Sequence, residues 1–387
     1  MLYTNKVNMI DEYLGFAVFF IIFVSVYTLL NYFVLSQLFK LFNLEKNYLF
    51  YILLSVLALS YILAAGLESR SNNSLFRSIY IFASIWMGVL FLLFCSLIIY
   101  LIIDKFVPIA NWVTGVIILC VVLLTAAYGI INAYNFKVKE INVSSDKNVD
   151  VKIVQLSDIH LGPINNKAYL NRIVDRVNKI KPDIVLITGD LFDGRYKYDN
   201  DILFALNNIN ASIYFSSGNH DVYSDLAVVK NYMKDTKVKW LRNELAECKG
   251  VNIIGLDDTR HAKSIGTRLN IISTQHNLSK RYTILMNHRP IGWKDASKYV
   301  DLMLSGHTHA GQIWPFTYLV VLEGNPLQGI RRVPGNENFM FYINSGSGTW
   351  GPPMRLGTHT EITVFNIKGS KAVEKTIKET NRKGNKN

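Results

Sequence analysis

The stretch KIVQLSDIH, residues 152–160, is an apolar run that ends in an aspartate and a histidine. Four later stretches repeat this pattern: DIVLITGD at 183–190, SIYFSSGNHD at 212–221, YTILMNH at 282–288 and DLMLSGHTH at 301–309. Continuous apolar runs followed by polar loops predict strands that are buried on both faces. Apolar residues with helical spacing between the first two strands complete the pattern of an α/β domain.

The polar residues that follow these strands are expected to meet. In open α/β sheets the functional site forms beyond the carboxyl ends of the strands. Carboxylate and imidazole groups together suit divalent ions such as Mn, Fe or Zn. In the sequence Asp158-Ile159-His160 both polar side chains can turn towards one ion. The single carboxylate of Asp190 could bridge two ions roughly 3.5–4 Å apart, as two-metal hydrolases require.

Each motif alone is a weak indication of a metal site. An Asp-x-His is mostly structural, a Gly-Asp is often a turn, and a single core histidine is more often hydrogen-bonded than metallated. Their occurrence together, each after an apolar strand, is what favours the metal site. Five of the eight histidines fall in these motifs. Glycines at 189, 218 and 306 allow the backbone to turn tightly beside them.

The ordered motifs D-x-H, G-D-x-x-D, G-N-H-D, H and G-H-x-H resemble those of the calcineurin-like metallophosphoesterase superfamily, over about residues 150–367. The segments SDIHLGP, GHTHAGQ and GTWGPPMRLG are similar to a membrane-associated bacterial branch. The resemblance implies two packed β-sheets flanked by helices, a binuclear centre of divalent metal ions, and hydrolysis of phosphate esters.

The resemblance also implies a role for each site residue. Asp190 would bridge the two ions. His220 would contact the phosphate or protonate the leaving oxygen, and Asp193 would orient His220 or a nearby ligand. The remaining metal ligands would be Asp158, His160 and His309 for the first ion, and Asn219, His288 and His307 for the second.

Two arginines are candidates for contact with substrate phosphate. Arg355 lies in the segment GPPMRLG, and Arg289 follows His288. A guanidinium can bind phosphate or form a structural ion pair, and the sequence leaves both interpretations open. Asp221 is expected to support the ligands rather than to bind metal.

The first 132 residues predict an all-α transmembrane domain of about four helices. Each of four apolar stretches approaches the roughly 20 residues that a helix needs to cross a bilayer. None has a charged residue in its interior; the stretches are 14–36, 48–66, 79–103 and 110–132. Residues 133–149 are predicted to be a linker or an edge strand. The basic segment 368–387 is predicted to be a disordered tail.

The net charge of +12 fits a membrane protein better than a nucleic-acid-binding one. Lys and Arg are commonly in excess beside the bilayer, and no basic stripe interleaved with aromatic residues is present. The three cysteines, Cys95, Cys120 and Cys248, provide no disulfide framework and no CxxC metal site. The charge and the apolar stretches make membrane lipids an expected partner. The resemblance implies a phosphate ester as the substrate.

The distribution of basic residues favours a cytoplasmic catalytic domain. Four spans place the N-terminus and the catalytic domain on the same side, and an excess of Lys and Arg marks the cytoplasmic side. The segments on the side of the domain carry Lys6, Arg70, Arg77, Lys137, Lys139 and Lys147, against Lys40, Lys46 and Lys105 on the other side.

The predicted function is that of a membrane-anchored two-metal phosphodiesterase or pyrophosphatase acting on a small or lipid-linked substrate. One alternative is a phosphomonoesterase or protein phosphatase. The other is a non-enzymatic, metal-bound interaction module, in which loss of ligands would be expected. Substrate specificity is expected in the segments 257–275 and 314–338, where the sequence shows no readable pattern.

Overall fold

The computed structural model describes residues 2–369, except 71, 72, 108, 325, 327 and 334. The chain divides into two compact units, with the boundary between Tyr128 and Gly129. The disorder predicted for the tail falls, from residue 370 onward, outside the described residues.

Four long helices make up most of the described part of the first unit. They are α1 (Leu2–Leu41), α2 (Tyr48–Glu68), α3 (Ser74–Ile103) and α4 (Asn111–Ala133), the last of which ends in the second unit. Each contains a segment long and apolar enough to cross a membrane, which in α1 is Phe20–Leu41. The predicted bounds of the four spans stay a prediction. Asn47 and Asn73 cap α2 and α3 by accepting a hydrogen bond from a backbone N–H of the first turn.

The described strands of the second unit form two six-stranded sheets. The strands are β1 (Lys137–Ser145), β2 (Asp150–Leu156), β3 (Ile184–Thr188), β4 (Ser212–Ser216), β5 (Lys239–Trp240), β6 (Glu244–Cys248), β7 (Val251–Gly255), β8 (Tyr282–Met286), β9 (Leu302–Ser305), β10 (Gly329–Val333), β11 (Asn336–Ile343) and β12 (Glu361–Gly369). The first sheet has the order β1-β12-β2-β3-β4-β5 and the second has the order β10-β11-β9-β8-β7-β6. The predicted fold class, apolar helices followed by a two-sheet α/β domain, is confirmed.

The described part of the second unit contains six further α-helices. They are α5 (Lys167–Ile180), α6 (Asn219–Tyr223), α7 (Leu226–Met233), α8 (Ala262–Gln275), α9 (Trp293–Ala296) and α10 (Phe316–Leu322). Leu170, Ile173 and Val177 of α5 are buried in the core on the first sheet, which is the apolar face that their spacing predicts. Helix α8 buries Ile265 and Leu269 on the second sheet.

The main core lies between the two sheets. Ile153 and Leu186 of the first sheet belong to the same buried cluster as Ile284 and Leu304 of the second. Strands β2, β3 and β4 run parallel, as do β7, β8 and β9. The carboxyl ends of parallel strands lie at the same edge of a sheet, so the loops that leave them are brought together.

The segment predicted as a linker or an edge strand contains β1. This strand lies at the edge of the first sheet and pairs in parallel with β12, with Ile141 opposite Phe365. Only residues 134–136 separate the end of α4 from the start of β1. The fourth apolar helix therefore continues almost directly into the first sheet.

Candidate metal centre

The seven predicted metal ligands lie at strand ends, where two glycines allow their close approach. A Cβ atom on Gly218 would lie 2.2 Å from Asp190 Oδ1, and one on Gly306 would lie 2.1 Å from Asp158 Oδ2. Both distances are far below van der Waals contact. Any residue other than glycine at these positions would displace a carboxylate of the candidate centre.

Five of the candidate ligands have a left-handed backbone conformation. Their φ angles are 52° at Asp158, 49° at His160, 52° at Asp190, 74° at His307 and 48° at His309. Positive φ is uncommon outside glycine, although Asp, Asn and His adopt it more often than other residues. Such conformations cluster at functional sites, where the surrounding structure holds them in place.

The first group of ligands is Asp158, His160 and His309. Their ligand atoms all lie within 4.8 Å of one another, and all three side chains are buried. The Nε2 atoms of His160 and His309 are 3.0 Å apart. Asp158 Oδ1 lies 3.4 Å from His309 Nε2. Two ring nitrogens facing each other beside a buried carboxylate are a donor set suited to a divalent cation.

The second group contains Asp190, His288 and His307, again with ligand atoms within 4.8 Å of one another. The buried side-chain oxygen Oδ1 of Asn219 has no hydrogen-bond partner, and the buried His288 Nε2 has no neighbour in hydrogen-bond geometry and faces the Asp190 carboxylate at 3.1 Å. Buried polar atoms normally have a partner, so each exception needs an explanation. Both atoms belong to predicted ligands of the second ion, and a cation bound here would satisfy them. The residues therefore fit a binuclear metal centre.

Asp190 lies between the two groups. Its Oδ2 is 3.1 Å from His288 Nε2 and 3.7 Å from His160 Nε2. Its Oδ1 accepts a hydrogen bond of 2.8 Å from the main-chain N–H of His220. Burial raises the pKa of this carboxyl, but neighbouring histidines, His288 above all, lower it more, so the group is ionised. This position is the one that a bridging carboxylate requires.

The environment keeps several of the imidazoles uncharged. Burial lowers the pKa of His307 to about 3 and also lowers the pKa of His160 and His309. Neighbouring positive groups, such as Arg355 beside His309, lower them further. A neutral ring has a lone pair free for a metal ion, whereas a protonated ring does not.

Hydrogen bonds at Nδ1 fix the orientation of two candidate ligands. His288 Nδ1 lies 2.9 Å from the carbonyl oxygen of Thr188, to which it donates. His160 Nδ1 lies 3.1 Å from Asp193 Oδ1. Each contact places the ring proton on Nδ1 and directs Nε2 into the centre, which is the usual arrangement of metal-ligating histidines.

Asp193 holds His220 next to the centre through its main-chain carbonyl oxygen, whereas it contacts His160 through its carboxylate. The Nδ1 of His220 donates to the main-chain carbonyl oxygen of Asp193 at 2.7 Å, while the Asp193 carboxylate is 3.9 Å away. Asp193 therefore orients His160 with its carboxylate and His220 with its backbone. The bond at Nδ1 leaves His220 Nε2 for substrate. The ring centroid of Trp350 lies 5.5 Å from that of His220. The sequence analysis did not identify Trp350 as a site residue.

Arg355 corrects a prediction. Its side chain is fully buried, and its guanidinium donates to the carbonyl oxygens of Ser345, Gly348 and His309 at 2.6, 2.8 and 3.2 Å. A side chain without accessible surface is not placed to contact substrate phosphate, which was one of the two interpretations that the sequence left open. The contacts are to carbonyl groups, so the structural ion pair is not formed either. Arg355 instead connects the loop after β11 to the backbone of a candidate metal ligand.

Arg289 lies closer to open solvent and beside the second group. Its Nε donates to Asp258 Oδ1 at 2.9 Å, and its Nη1 donates to His307 Nε2 at 3.0 Å. Asp258 was missed by sequence analysis, although it follows the apolar run that becomes β7, which is the same indication that found the other site residues. The predicted contact between Arg289 and substrate stays a prediction.

Two further buried residues support the candidate centre. The Asp221 carboxylate accepts hydrogen bonds from the main-chain N–H groups of Asp190 and Gly218, both at 2.8 Å. Asn132, near the end of α4, donates to the carbonyl oxygens of Arg355 and Thr358 at 2.8 and 2.9 Å. Asn132 was missed by sequence analysis. The sequence indicated Asn132 only as a polar residue at the end of an apolar stretch.

Two packed sheets with a site for two cations at their strand ends define a binuclear metallohydrolase type of domain. The model of the family described as calcineurin-like phosphoesterase matches residues 151–311. A metallophosphoesterase of Aquifex aeolicus is 30% identical over 258 residues, which cover 64% of this chain and 98% of the relative. The chain therefore belongs to the calcineurin-like phosphoesterase family, whose members use two divalent metal ions.

Two further relatives match over only part of their length. A metallophosphoesterase of Helicobacter pylori strain J99 is 34% identical over 238 residues, covering 60% of this chain and 64% of the relative. A Danio rerio protein described as a transmembrane protein with metallophosphoesterase domain is 32% identical over 282 residues, covering 65% and 62%. The chain thus spans less than two thirds of these two relatives. The four apolar helices and this transmembrane relative indicate membrane association.

Proposed function

We propose that this chain is a membrane-anchored hydrolase of phosphate esters that works with two divalent metal ions. The observation that carries the proposal is that the buried Asn219 Oδ1 lacks a hydrogen-bond partner and that His288 Nε2 and His160 Nε2 both face the ionised carboxylate of Asp190. The proposed ligands are Asp158, His160 and His309 for one ion, Asn219, His288 and His307 for the other, and Asp190 for both.

The division of labour follows from the contacts. Bound divalent ions would supply Lewis acidity towards phosphoryl oxygens and increase the acidity of a water nucleophile. His220 keeps one proton on Nδ1 through its bond to the Asp193 carbonyl. Its Nε2 is then the atom that donates a proton to the leaving oxygen when the ring is charged. Asp193 is a positioning residue for both His220 and His160.

Arg289 is the proposed contact for the substrate phosphate. A neutral, metal-bound imidazole carries its proton on the other nitrogen and cannot accept a hydrogen bond there. Metal binding at either ring nitrogen of His307 would therefore end the hydrogen bond that its Nε2 accepts from Arg289 Nη1. The guanidinium stays anchored by Asp258 and can pair with phosphate oxygens.

The proposed substrate is a phosphodiester or a pyrophosphate that is small or lipid-linked. Only three residues separate α4 from β1, so the four proposed spans would tether the catalytic domain to a bilayer through a short connection. This placement favours amphiphilic esters over soluble phosphoproteins. The basic residues on the domain's side of the spans favour a multi-pass protein whose catalytic domain faces the cytoplasm.

The test uses purified full-length protein with Mn added back, on bis-p-nitrophenyl phosphate and on p-nitrophenyl phosphate. Turnover of the diester above that of the monoester is the expected result. Preference for the monoester would replace the proposal with a phosphomonoesterase. Turnover of neither by the metal-loaded protein would favour the non-enzymatic interaction module. The Asp190→Asn variant controls for contaminating phosphatase.

A further inference from the structure

The short helix α10 exposes an apolar surface that the proposed chemistry does not use. Six of its seven residues are apolar, and none of the residues Phe316–Leu322 is buried. The solvent-accessible fraction reaches 80% at Leu322 and 61% at Tyr318, and Trp314, just before the helix, is 57% exposed. A helix that is apolar on all sides is normally buried in a core or in lipid.

Trp314, just before this helix, is linked to the end of α4 through Arg355 and Leu356, within the second unit. Trp314 N donates to the carbonyl oxygen of Leu356 at 2.9 Å. The neighbouring Arg355 N donates to the carbonyl oxygen of Gly129 at 2.9 Å, and a Cβ atom on Gly129 would touch the Leu356 side chain at 3.3 Å. One residue pair therefore joins the segment before α10 to the last turns of α4.

Two lysines of β1 lie at this end of the domain, while Glu323, directly after α10, and Glu140 are acidic. Lys137, the first residue of β1, follows α4 closely, and its Nζ lies 2.7 Å from His359 Nε2. A Cβ atom on Gly329, at the start of β10, would lie 3.7 Å from Lys139 Nζ. Lysine side chains can pair with anionic lipid headgroups, and exposed Trp, Tyr and Leu side chains are the apolar groups that bind a bilayer interface.

We infer that α10 lies in the interfacial layer of the bilayer that holds the chain's own apolar helices. Trp314 and Tyr318 would lie at the headgroup level, as aromatic residues do in membrane proteins, and Leu319 and Leu322 would enter the acyl boundary. The inference rests on the membrane anchoring in the proposed function. The candidate ligand His309 precedes Trp314 by only five residues, so the segment that leads to α10 starts at the metal centre.

The test places a fluorescent label at Leu322→Cys in full-length protein whose Cys95, Cys120 and Cys248 are replaced by serine. The protein is reconstituted in vesicles of phosphatidylcholine and phosphatidylglycerol. Quenching is measured with nitroxide-labelled acyl chains and with iodide in the water phase. The matched control is Ile271→Cys in α8, an apolar residue that is 54% exposed. A second control, Leu123→Cys, is 73% exposed on α4.

The label at 322 should be quenched severalfold more by nitroxide lipid, and severalfold less by iodide, than the label at 271. If 322 behaves like 271 while 123 is quenched by lipid, the inference about α10 is wrong and the anchoring stands. If 123 also fails to respond to lipid, the anchoring itself is wrong. Protection of 322 from both quenchers would assign α10 to a protein interface, such as a second copy of the chain, and would overturn the inference.

A functional measurement addresses the same surface. The double variant Leu319→Ser, Leu322→Ser should turn over a vesicle-embedded phosphodiester at least tenfold more slowly than the unmodified protein. Its turnover of bis-p-nitrophenyl phosphate should stay within twofold, because neither residue belongs to the candidate metal centre. The control Ile271→Ser should leave both rates unchanged. Equal loss on both substrates would show a general structural defect instead of a bilayer contact.

Discussion

The main-chain N–H of His220 donates to Oδ1 of Asp190 at 2.8 Å, so the candidate acid and the candidate bridging carboxylate are joined through the backbone. The imidazole of His220 takes no part in this contact. Its own bond goes to the Asp193 carbonyl. Chemistry at the His220 side chain can therefore be separated from metal binding by mutation.

The first prediction is that His220→Ala keeps its metal and loses turnover. The backbone bond to Asp190 survives the substitution, so the ligands stay in place. A general acid typically contributes about 10²–10⁴-fold to the rate, and we expect a loss of this size in kcat. Elemental analysis of the same protein should find its metal content unchanged. The exposed His276→Ala is the control. A metal-free His220→Ala protein would instead identify His220 as a ligand.

The second prediction concerns Asp190→Asn. A bridging carboxylate serves both ions, so this variant should lose metal from both sites. Its activity should fall by more than about 100-fold, because losing a residue that only supports one metal ligand already costs up to that factor. Elemental analysis should find two equivalents in the unmodified protein and under one in the variant. The surface variant Asp295→Asn should match the unmodified protein. Near-normal turnover in Asp190→Asn would rule out the bridge.

The third prediction separates the two arginines. Arg355→Ala leaves carbonyl groups of Ser345 and Gly348 unsatisfied in the interior, so the free energy of unfolding should fall by on the order of 3 kcal/mol. Arg289→Ala should raise KM with little change in stability, because its side chain is partly exposed. Thermal denaturation and steady-state kinetics on both variants provide the measurement. A higher KM in a fully stable Arg355→Ala protein would restore that residue as a substrate contact.

The fourth prediction is that Gly218→Ala disrupts the centre. The new methyl group would lie 2.2 Å from Asp190 Oδ1 and 2.5 Å from Asp190 N, so the carboxylate must move. Metal content and turnover should both fall, since displacement of about 1 Å at a catalytic centre can cost 10²-fold. Gly66→Ala, where no atom lies within 4 Å of the added carbon, is the matched control. Retained metal in Gly218→Ala would mean that the loop relaxes without moving Asp190.

The fifth prediction is the side of the membrane. A single cysteine at the exposed position 274, introduced as Thr274→Cys in the serine-substituted background, should react with an impermeant maleimide only after the cells are permeabilised. This result follows from the excess of Lys and Arg on the domain's side of the spans. Labelling of intact cells at this position would place the catalytic domain outside.

The parts of the fold found from sequence are those with local patterns. The strands that precede Asp158, Asp190 and His288 can be predicted because they are apolar runs. Helix α5 can be predicted from the helical spacing of its apolar residues. The pairing of β1 with β12 could not be predicted, because residues such as Ile141 and Phe365 are far apart in the chain. The burial of Arg355 depends on carbonyl groups from several loops, which no local pattern records.

Helix α10 shows a second limit of sequence analysis. Its residues lie in the segment 314–338, which showed no readable pattern, because apolar residues on every side of a short helix give no periodicity. Asn132 was missed for a related reason. A polar residue at the end of an apolar helix is ordinary by composition, and its partners near Arg355 lie more than two hundred residues away.

The left-handed backbone at five candidate ligands restricts which mutations this centre tolerates. A replacement at Asp158 must supply a donor atom and must also accept a φ of 52°. Asparagine accepts that backbone readily, whereas glutamate, with the same charged group on a longer stem, is not among the residues that favour it. Asp158→Asn should therefore preserve the loop conformation and weaken metal binding, while Asp158→Glu should disturb the loop conformation as well as metal binding. Charge conservation is thus a poor guide to tolerated mutations here, and backbone compatibility is a better one.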